Sequence, residues 1–427
     1  MITLNLEEEK QRQVGASLKV IGVGGGGGNA VNSMMSSDDL KVVEFIVANT
    51  DAQALDMSPA KNKVQIGSKI TKGLGAGSNP DVGRRAAEED LEEVMSKVAD
   101  ADILFLTAGL GGGTGSGAIS VIAEAAKAAG ILTVGIVTKP FYFVGRRRQK
   151  NTEEAIETLR SVVDTLIVVP NQRLLELVDP KISMLDAFAL SNDVLKQAIK
   201  GISDIITKPG HINVDFADAR SVMKDMGMAL MGTGRCSGEG RARQAAMQAI
   251  SSPLLENVSV EGARGVLINI TGNEELGLHE INDAASVVYD LVSEDANIII
   301  GSVIDPSVGD DIVVTVIATG FEAVQNDQRV FKTGTLKTEK PEKTETQSRP
   351  FSFYENTEET PQYSSHDVSG VASAKTEAPL QEEKPLEEDL LKALDAASPR
   401  TSSFNLDDID TPTFLRKKAE EDQDKNY

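Results

Sequence analysis

The stretch GGGGGN at residues 24–29 is followed further along the chain by a second glycine-rich stretch, GGGTGSG at residues 111–117. Each stretch comes after an apolar run typical of a buried strand, Leu18–Val23 and Ile103–Ala108, and before residues with helical spacing. A helix N-terminus presents unpaired N–H groups and a partial positive charge, and glycine lets this backbone approach a ligand closely. Either stretch alone could be a tight turn. Together they predict a polyphosphate held from two sides.

The absence of certain motifs excludes some classes of phosphate-binding site. It contains no GxxxxGK[ST], which excludes the ordinary P-loop NTPases. Residues 22–27 formally satisfy the Rossmann pattern GxGxxG. A Rossmann site also has an acidic residue after the second strand that binds the ribose, and Asp51 lies close to that position in the sequence. A dinucleotide enzyme, however, needs no second glycine cradle, and no histidine, tyrosine–lysine pair or paired cysteine is placed for redox chemistry. A Rossmann oxidoreductase therefore stays only as an alternative.

The composition restricts where the protein works and what it binds. With 427 residues, of which 40% are hydrophobic, the chain exceeds what one core usually supports, so we expect two folded units. The net charge of -22 argues against nonspecific nucleic-acid binding, because phosphate backbones would be repelled. The single cysteine, Cys236, excludes an internal disulfide framework, and no apolar run of about eighteen residues could span a membrane. We expect a soluble, cytoplasmic protein without nucleic-acid partners or direct membrane insertion.

The order of the elements predicts an α/β fold. Strand-like runs alternate with helical patterns from Leu18 to Val169, which indicates a parallel sheet covered by helices on both faces. Ligands of such sheets bind at the carboxyl ends of the strands, where both glycine stretches would lie. A long helical pattern over residues 182–207 then joins a smaller α+β unit, which we expect to pack against it. In that unit we predict helices near residues 218–231 and 240–251, and strands at residues 265–271, 297–304 and 312–319.

The composition changes after Phe321. Residues 322–404 are rich in Glu, Lys, Thr, Ser, Pro and Gln and have almost no periodic apolar pattern. They cannot bury enough surface to offset the entropy of ordering, so we predict a disordered linker. Apolar and basic residues return at Asp407–Lys418, near the end of the chain.

The second glycine stretch resembles the signature GGGTG[ST]G of the tubulin/FtsZ GTPase family, which is highly specific. The similarity runs continuously over residues 15–321 and returns in the peptide Asp407–Lys418. Further matching motifs are NTD at residues 49–51, GLGAGSNP at 73–80, TKPF at 138–141, NQR at 171–173, NDVL at 192–195 and NVDFAD at 213–218.

This resemblance implies an N-terminal Rossmann-like parallel-sheet GTPase domain, a long central helix, a smaller α+β C-terminal domain and a disordered tail. The expected boundaries are a flexible N-terminus at residues 1–14, the GTP-binding domain at 15–182, the central helix at 183–208, the α+β domain at 209–321, the linker at 322–405 and a partner-binding peptide at 406–427.

The resemblance also implies a site for GTP or GDP, together with Mg2+. A third glycine-containing loop, with Gly75, Ala76 and Gly77, is similar to the segment that senses the γ-phosphate, and Arg148 resembles an arginine that approaches the nucleotide. The phosphates would be cradled by backbone amides of both glycine stretches, with one threonine hydroxyl as a further donor: Gly25, Gly26, Gly27, Gly28, Gly112, Gly113, Thr114 and Gly115.

The guanine base would be recognised by amide side chains. By similarity, Asn29, Asn171, and Asn192 or Asp193 would read the guanine edge, which differs from that of adenine. Phe188 would stack on the base. Each asparagine alone could equally be a turn or cap residue.

One position departs from the family pattern. The family usually reads PFxFEG, where the glutamate accepts hydrogen bonds from the ribose hydroxyls, but residues 140–145 read PFYFVG. Val144 cannot accept those bonds, so we predict weaker nucleotide binding than in a Val144→Glu variant. A second departure is His211, where the family usually has an apolar residue.

Catalysis is expected to need a second molecule. Asn213, Asp215 and Asp218 look like the family's synergy loop, which inserts into the nucleotide site of the next subunit and positions the attacking water. Such a contact is heterologous, so its repetition makes an open head-to-tail filament. The resemblance thus implies a GTPase activated by polymerisation, which forms the bacterial cell-division ring at the division site beneath the inner membrane. A nucleotide-binding filament scaffold with weak or no GTP hydrolysis is the alternative.

The terminal peptide has an implied role as well. Asp407–Lys418 looks like the family's adaptor-binding motif, in which Ile409, Phe414 and Leu415 would fill a groove. The implied partners are membrane-tethering and regulatory division proteins.

Overall fold

The computed structural model describes residues 15–321, apart from residues 177, 180, 209 and 255–261. Its elements form a mixed α/β fold, as the order of strand-like and helical patterns predicts. The expected N-terminal segment at residues 1–14, the linker at 322–405 and the partner-binding peptide at 406–427 lie outside the described residues.

The described strands join in one ten-stranded sheet. They are β1 (Leu18–Val23), β2 (Glu44–Asn49), β3 (Asn62–Gln65), β4 (Ile103–Gly109), β5 (Leu132–Lys139), β6 (Thr165–Pro170), β7 (Gly227–Cys236), β8 (Gly265–Gly272), β9 (Asn297–Ile304) and β10 (Ile312–Thr319). Their order across the sheet is β3-β2-β1-β4-β5-β6-β7-β10-β8-β9. Only β10 runs antiparallel to its neighbours, β7 and β8.

Helices cover the sheet and connect its strands. They are α1 (Gly24–Met35), α2 (Ala52–Met57), α3 (Ser68–Thr71), α4 (Pro80–Glu89), α5 (Leu91–Val98), α6 (Thr114–Ala128), α7 (Arg146–Val162), α8 (Asn171–Leu174), α9 (Met184–Thr207), α10 (Phe216–Met223), α11 (Arg241–Ile250) and α12 (Leu278–Tyr289).

Strand β1 illustrates how the parallel part of the sheet is buried on both faces. Leu18 and Val20 belong to one hydrophobic core, to which α1 and α9 contribute. Ile21 and Val23 belong to a second core, to which α6 contributes. A strand that is buried on both faces has a continuous apolar sequence, which explains the apolar run at residues 18–23.

The predicted long central helix is confirmed as α9. Ser183 caps its first turn, since the hydroxyl accepts a hydrogen bond of 3.1 Å from the N–H of Asp186. At about 1.5 Å per residue, the 24 residues of α9 span about 36 Å. Leu195, Ile199 and Ile202 are buried in a core that also contains residues of β5 and β8. The helix therefore packs against strands from both parts of the sheet.

The second part of the chain matches the predicted elements except at one point. The strands expected at residues 265–271, 297–304 and 312–319 are β8, β9 and β10, and the helix expected at 240–251 is α11. The predicted helix over residues 218–231 is wrong beyond its first part, since α10 ends at Met223 and β7 begins at Gly227.

The helix stops there for a physical reason. Asp225 and Gly227 have φ angles of 56° and 70°, which a right-handed helix does not allow. Gly227 also pairs in parallel with Thr165 at the start of β6, so the smaller part of the chain continues the first sheet. Strand pairing overrides the helical spacing of the apolar residues.

Candidate functional site

A cleft of about 330 Å³ lies at the carboxyl ends of β1, β4, β5 and β6. Ligands of parallel α/β sheets bind at this edge. Both glycine stretches, the segment after β5 and the first half of α9 contribute to its walls. The lining residues are Gly25, Gly26, Asn29, Gly109, Leu110, Gly112, Gly113, Thr114, Gly115, Thr138, Pro140, Phe141, Val144, Arg148, Asn171, Phe188, Ser191, Asn192 and Leu195.

One end of the cleft is formed by two helix N-termini. Helix α1 begins at Gly24 and α6 begins at Thr114. The N–H groups of a first helical turn have no partner within the helix, and with the helix dipole they suit an anion. A Cβ atom added at Gly25 or Gly112 would meet no atom within 4 Å. At these two positions the bare backbone borders open space.

Gly26 and Gly27 of the first stretch pack closely against a strand, although Gly26 also lines the cleft. Gly27 and Gly28 are buried and do not line the cleft. A Cβ atom at Gly27 would overlap the carbonyl oxygen of Thr107, and one at Gly26 would lie 2.9 Å from the Cα atom of Gly109. Both contacts are with β4. Glycine is unfavourable inside a helix, but here it lets α1 approach the strand at a distance that alanine would forbid.

Hydroxyl groups hold the second glycine stretch. The Oγ1 atoms of Thr114 and Thr50 are 2.6 Å apart, and both side chains are buried. The N–H of Gly111 donates a hydrogen bond of 2.8 Å to Ser116 Oγ. The sequence motif NTD includes Thr50 without indicating its role, because its partner lies on a distant segment. Thr138, at the end of β5, also lines the cleft, although the TKPF motif that contains it did not identify it as a site residue.

The third loop, residues 72–78, packs against the second glycine stretch. Gly75 and Gly77 have φ angles of 84° and 60°, a region that favours glycine. Ala76 is buried, and a Cβ atom at Gly113 would lie 2.8 Å from its Cβ atom. Gly75, Ala76 and Gly77 do not line the cleft themselves, whereas Gly113, against which Ala76 packs, does.

Aromatic side chains form another part of the cleft wall. Phe188 of α9 is 42% exposed, and its ring meets the buried ring of Phe141 edge to face, with 5.4 Å between the centroids. Phe143 stacks on Phe141 with the same distance between centroids. The buried ring of Phe141 thus holds Phe188 in place, and the exposed part of the Phe188 ring is available to a planar ligand.

Amide side chains lie near this aromatic wall. Asn171, at the end of β6, is buried, and its Oδ1 accepts a hydrogen bond of 2.8 Å from Ser191 Oγ. This bond leaves the Nδ2 group of Asn171 as its donor toward a ligand. Asn29 and Asn192 also line the cleft. Asp193 is exposed and does not line it, so of the two alternatives Asn192 is the one that the cleft includes.

One charged side chain adds to the positive potential of the two helix N-termini. Arg148 is the only charged residue among the described residues that line it. Val144, half-buried, lines the cleft between Phe141 and Arg148 along the chain. No described lining residue is a carboxylate, so the cleft attracts anions but has no acidic side chain that could act as a base.

The same lining bears on Mg2+, which prefers oxygen ligands and is commonly held by one or two carboxylates besides phosphate oxygens. Among the described residues that line it, the cleft offers the hydroxyls of Thr114 and Thr138 but no carboxylate, so this donor set does not fit a Mg2+ ion held by the protein itself. Across the described ranges, no group of three or more His, Cys, Asp and Glu side chains is placed to hold a metal ion.

Helix α10, which follows the predicted catalytic loop, lies at the opposite edge of the sheet. Thr165, the first residue of β6, donates its hydroxyl proton to the carbonyl oxygen of Met223 at the end of α10. Arg220 of the same helix donates a hydrogen bond of 3.4 Å to the carbonyl oxygen of Gly130, just before β5. Helix α10 therefore lies at the amino ends of β5 and β6, whereas the cleft lies at their carboxyl ends.

Asn213, Asp215 and Asp218 are all exposed near the start of α10. Asn213 Oδ1 accepts a hydrogen bond of 2.8 Å from the N–H of Gly210, so this side chain also shapes the loop. Helix α9 leads from the cleft toward this loop, and its residues from Ser191 onward alone span about 24 Å. The fold thus does not bring the three residues to the cleft of the same chain.

Two further findings concern larger surfaces. Within the portion of the chain that the structure covers, no helix is both long and apolar enough to cross a bilayer. A second cleft, of about 450 Å³, lies between α9 and β7, β8 and β10, and Lys200 in its lining forms ion pairs with Asp204 of the same helix and with Asp305.

Comparison with known proteins agrees with this geometry. Residues 17–179 match the GTPase domain of the Tubulin/FtsZ family, and residues 227–322 match the C-terminal domain of the FtsZ family. An empty FtsZ dimer from M. jannaschii is 41% identical, with a TM-score of 0.69, over 72% of this chain and 89% of that one. A mutant form of FtsZ from M. jannaschii is 42% identical, with the same TM-score, over 72% and 92% of the two chains.

A more distant structure shares the fold. GDP-bound CetZ1 from Haloferax volcanii is 21% identical, with a TM-score of 0.61, over 72% of this chain and 96% of that one. The Rossmann oxidoreductase alternative finds no support in these matches. The two domain matches and the 41% identity show that the chain belongs to the FtsZ family of tubulin/FtsZ GTPases.

Proposed function

We propose that this chain is a GTP-dependent, self-assembling filament protein that hydrolyses GTP where two subunits meet. The observation that carries the proposal is that the cleft and the exposed carboxylates near the start of α10 lie at opposite edges of the sheet. The cleft, whose described lining residues include no carboxylate, lies at one edge of the sheet, and the exposed carboxylates of Asp215 and Asp218 lie at the other. A single molecule thus contains both the nucleotide cleft and the carboxylates, but its fold keeps them too far apart to act together.

The cleft suits a guanine nucleotide in one orientation. The phosphates would lie at the N-termini of α1 and α6, where Gly25 and Gly112 leave room for them, with Arg148 as the cation. The base would lie against Phe188, where an amide donor from Asn171 and the side chains of Asn29 and Asn192 can pair with its edge. The ribose would then lie between these ends, near Val144.

Hydrolysis requires a water molecule that attacks the γ-phosphate and a group that orients it. Carboxylates orient water in many enzymes, and none of the described residues that line this cleft is a carboxylate. Asp215 and Asp218 of a second copy would supply it by docking the start of α10 over the first copy's cleft. Each copy then uses a different surface, so the contact repeats head to tail into an open filament.

Magnesium would enter this site with the nucleotide. Phosphate oxygens would provide most of its ligands, because the described residues that line the cleft include no carboxylate. The residues of this chain therefore need only bind the phosphates and position the water.

The cellular role that we propose is a cell-division ring at the division site, with GTPase activity that rises on polymerisation. This rests on membership of the FtsZ family. The partner-binding peptide around Asp407–Lys418 would recruit membrane-tethering and regulatory proteins. A filament scaffold with weak or no hydrolysis is the second candidate, and Val144 in the cleft favours it because this residue offers no polar contact to a ribose.

Light scattering and phosphate release, recorded together on the full chain after addition of GTP, test the proposal. Our proposal predicts that both signals appear above one threshold protein concentration and that ATP produces neither. Scattering without phosphate release would favour the scaffold. Neither signal, with GTP present in excess, would contradict both.

A further inference from the structure

The third loop is connected to the phosphate end of the cleft by contacts through three threonines. Thr114 is at the N-terminus of α6, and its Oγ1 lies 2.6 Å from Thr50 Oγ1. Thr50 is fully buried, and its carbonyl oxygen lies 3.3 Å from Thr71 Oγ1. Thr71 Oγ1 in turn accepts a hydrogen bond of 3.3 Å from the N–H of Gly73, in the third loop. The chain of contacts thus leads from the cleft to the loop through the interior.

Thr71 is placed to select between two arrangements. Its hydroxyl has one proton but two carbonyl acceptors, Thr50 O at 3.3 Å and Gly67 O at 3.0 Å. The Gly67 bond lies within the turn of α3, whereas the Thr50 bond ties α3 to the end of β2. The same hydroxyl holds Gly73, so a change of acceptor is felt directly by the third loop.

The third loop itself is strained and exposed. Lys72 and Ser78, at its two ends, have φ angles of 54° and 59°, which are unfavourable for residues other than glycine. Between them, Leu74 is 85% exposed although it is apolar. The loop is attached to residues 50–52 by the bridge of Leu74 with Asp51 and a hydrogen bond of 3.1 Å from Ala52 N–H to Gly73 O. A segment with this much strain needs such attachments to keep one conformation.

We propose that Thr50 and Thr71 are positioning residues that couple a phosphate at Thr114 to the conformation of the third loop. An anion that accepts the Thr114 proton leaves Thr114 Oγ1 only as an acceptor, so Thr50 must donate to it. This fixes the conformation of Thr50, and with it the Thr50 carbonyl oxygen. That oxygen competes with the Gly67 carbonyl oxygen for the Thr71 hydroxyl proton. The position of Leu74 then depends on whether a γ-phosphate reaches Thr114. The inference rests on the proposed binding of GTP and adds the route by which the bound nucleotide is sensed.

The chain contains no tryptophan, so Leu74→Trp would give a single fluorescent reporter in the loop. The test uses the full chain carrying this change, at protein concentrations below assembly, with GDP or the slowly hydrolysed analogue GTPγS. We expect different emission in the two nucleotides. Adding Thr71→Val or Thr50→Val should abolish that difference while both nucleotides still bind. Thr71→Ser and Thr50→Ser, which keep the hydroxyl, should preserve it.

The outcomes separate this inference from the proposed function. An unchanged nucleotide-dependent difference in the valine variants would overturn the relay, as would its loss in the serine variants or its absence in the Leu74→Trp protein itself. Failure of the parent chain to bind either nucleotide would instead contradict the proposed function, and the relay with it. Thermal unfolding of each variant checks that the valine changes leave the fold intact.

Discussion

Asp215 Oδ1 accepts a hydrogen bond of 2.8 Å from the main-chain N–H of Asp218, so one carboxylate of the proposed catalytic pair also caps helix α10. The side chain of Asp218 is exposed in the first turn of the same helix. An alanine at position 215 would therefore remove a cap and a charge together. Asparagine keeps the cap, since its side-chain oxygen accepts the same bond, and removes only the charge.

This difference separates structure from catalysis. We expect Asp215→Ala to lose about 1 kcal/mol of unfolding free energy, whereas Asp215→Asn should be as stable as the parent chain. Both variants should bind GTP normally and release phosphate at least about 100-fold more slowly, because the described lining of the cleft includes no carboxylate that could replace Asp215. Parent-like turnover in Asp215→Asn would show that the residue is only a cap. Phosphate release well above the assembly threshold is the measurement.

The two roles of the glycines in the first stretch predict opposite behaviour. A methyl group at Gly27 would overlap the Thr107 carbonyl oxygen, so Gly27→Ala should lower the unfolding free energy by about 1 to 3 kcal/mol. Gly25→Ala meets nothing within 4 Å and lies in a helix, so the fold should stay as stable or gain about 1 kcal/mol. Its methyl group would enter the phosphate end of the cleft and weaken GTP binding.

Urea unfolding and nucleotide titration of both proteins check this pair. Loss of stability in Gly25→Ala, or none in Gly27→Ala, would contradict our assignment of one glycine to the ligand and the other to β4.

Val144 gives a prediction about affinity. The side chain lines the cleft without any hydrogen-bonding group, so Val144→Glu would add a charged acceptor there. Such a bond contributes about 1.5 to 3 kcal/mol, so we expect the Kd for GTP to fall by about ten- to a hundredfold. Val144→Gln, with a neutral acceptor of similar size, should improve it less. Calorimetric titration measures the three constants, and equal values for the valine and glutamate proteins would refute the prediction.

The link between α11 and α12 gives a pH dependence. Arg241 donates to Glu280 at 2.7 Å and 3.1 Å, and these bonds hold the pKa of Glu280 below its ordinary value of 4.5, against the effect of burial. A carboxylate with a lowered pKa in the folded state adds stability above its ordinary pKa and loses it as the pH falls through the folded value. Glu280→Gln should therefore cost about 1.5 kcal/mol at neutral pH.

This cost should stay constant from neutral pH down to the ordinary pKa of Glu280 and then shrink as the solution becomes more acidic. Urea unfolding of both proteins across that range measures it. A difference that is the same in strong acid as at neutral pH would show that the charge of Glu280 does not stabilise the fold.

The local parts of the site could be predicted from the sequence. Each glycine stretch does begin a helix after a buried strand, α1 after β1 and α6 after β4, because these patterns depend on neighbouring residues. The distinction between Gly25 and Gly27 could not be predicted, since it depends on Thr107, which belongs to a different strand. The contact between the hydroxyls of Thr50 and Thr114 could not be predicted either, because the two residues lie far apart in the sequence.

The boundary between α10 and β7 shows a second limit. Apolar residues after Met223 continue the helical spacing, which favoured a helix through residue 231. The left-handed backbone at Asp225 and the pairing of Gly227 with Thr165 decide otherwise, and both depend on the neighbouring strand β6. Sequence patterns thus predicted the elements that carry the site better than the contacts that join them.

The central claim is that one molecule's cleft is completed by the Asp215 loop of another, and a mixing experiment tests it most directly. Asp215→Asn has an intact cleft, and Gly112→Val has an intact Asp215 loop but places a side chain in open space of the cleft. Each protein alone should be inactive. We predict that an equimolar mixture regains GTP hydrolysis, because the cleft of the first meets the loop of the second. A mixture as inactive as its components would contradict a shared site.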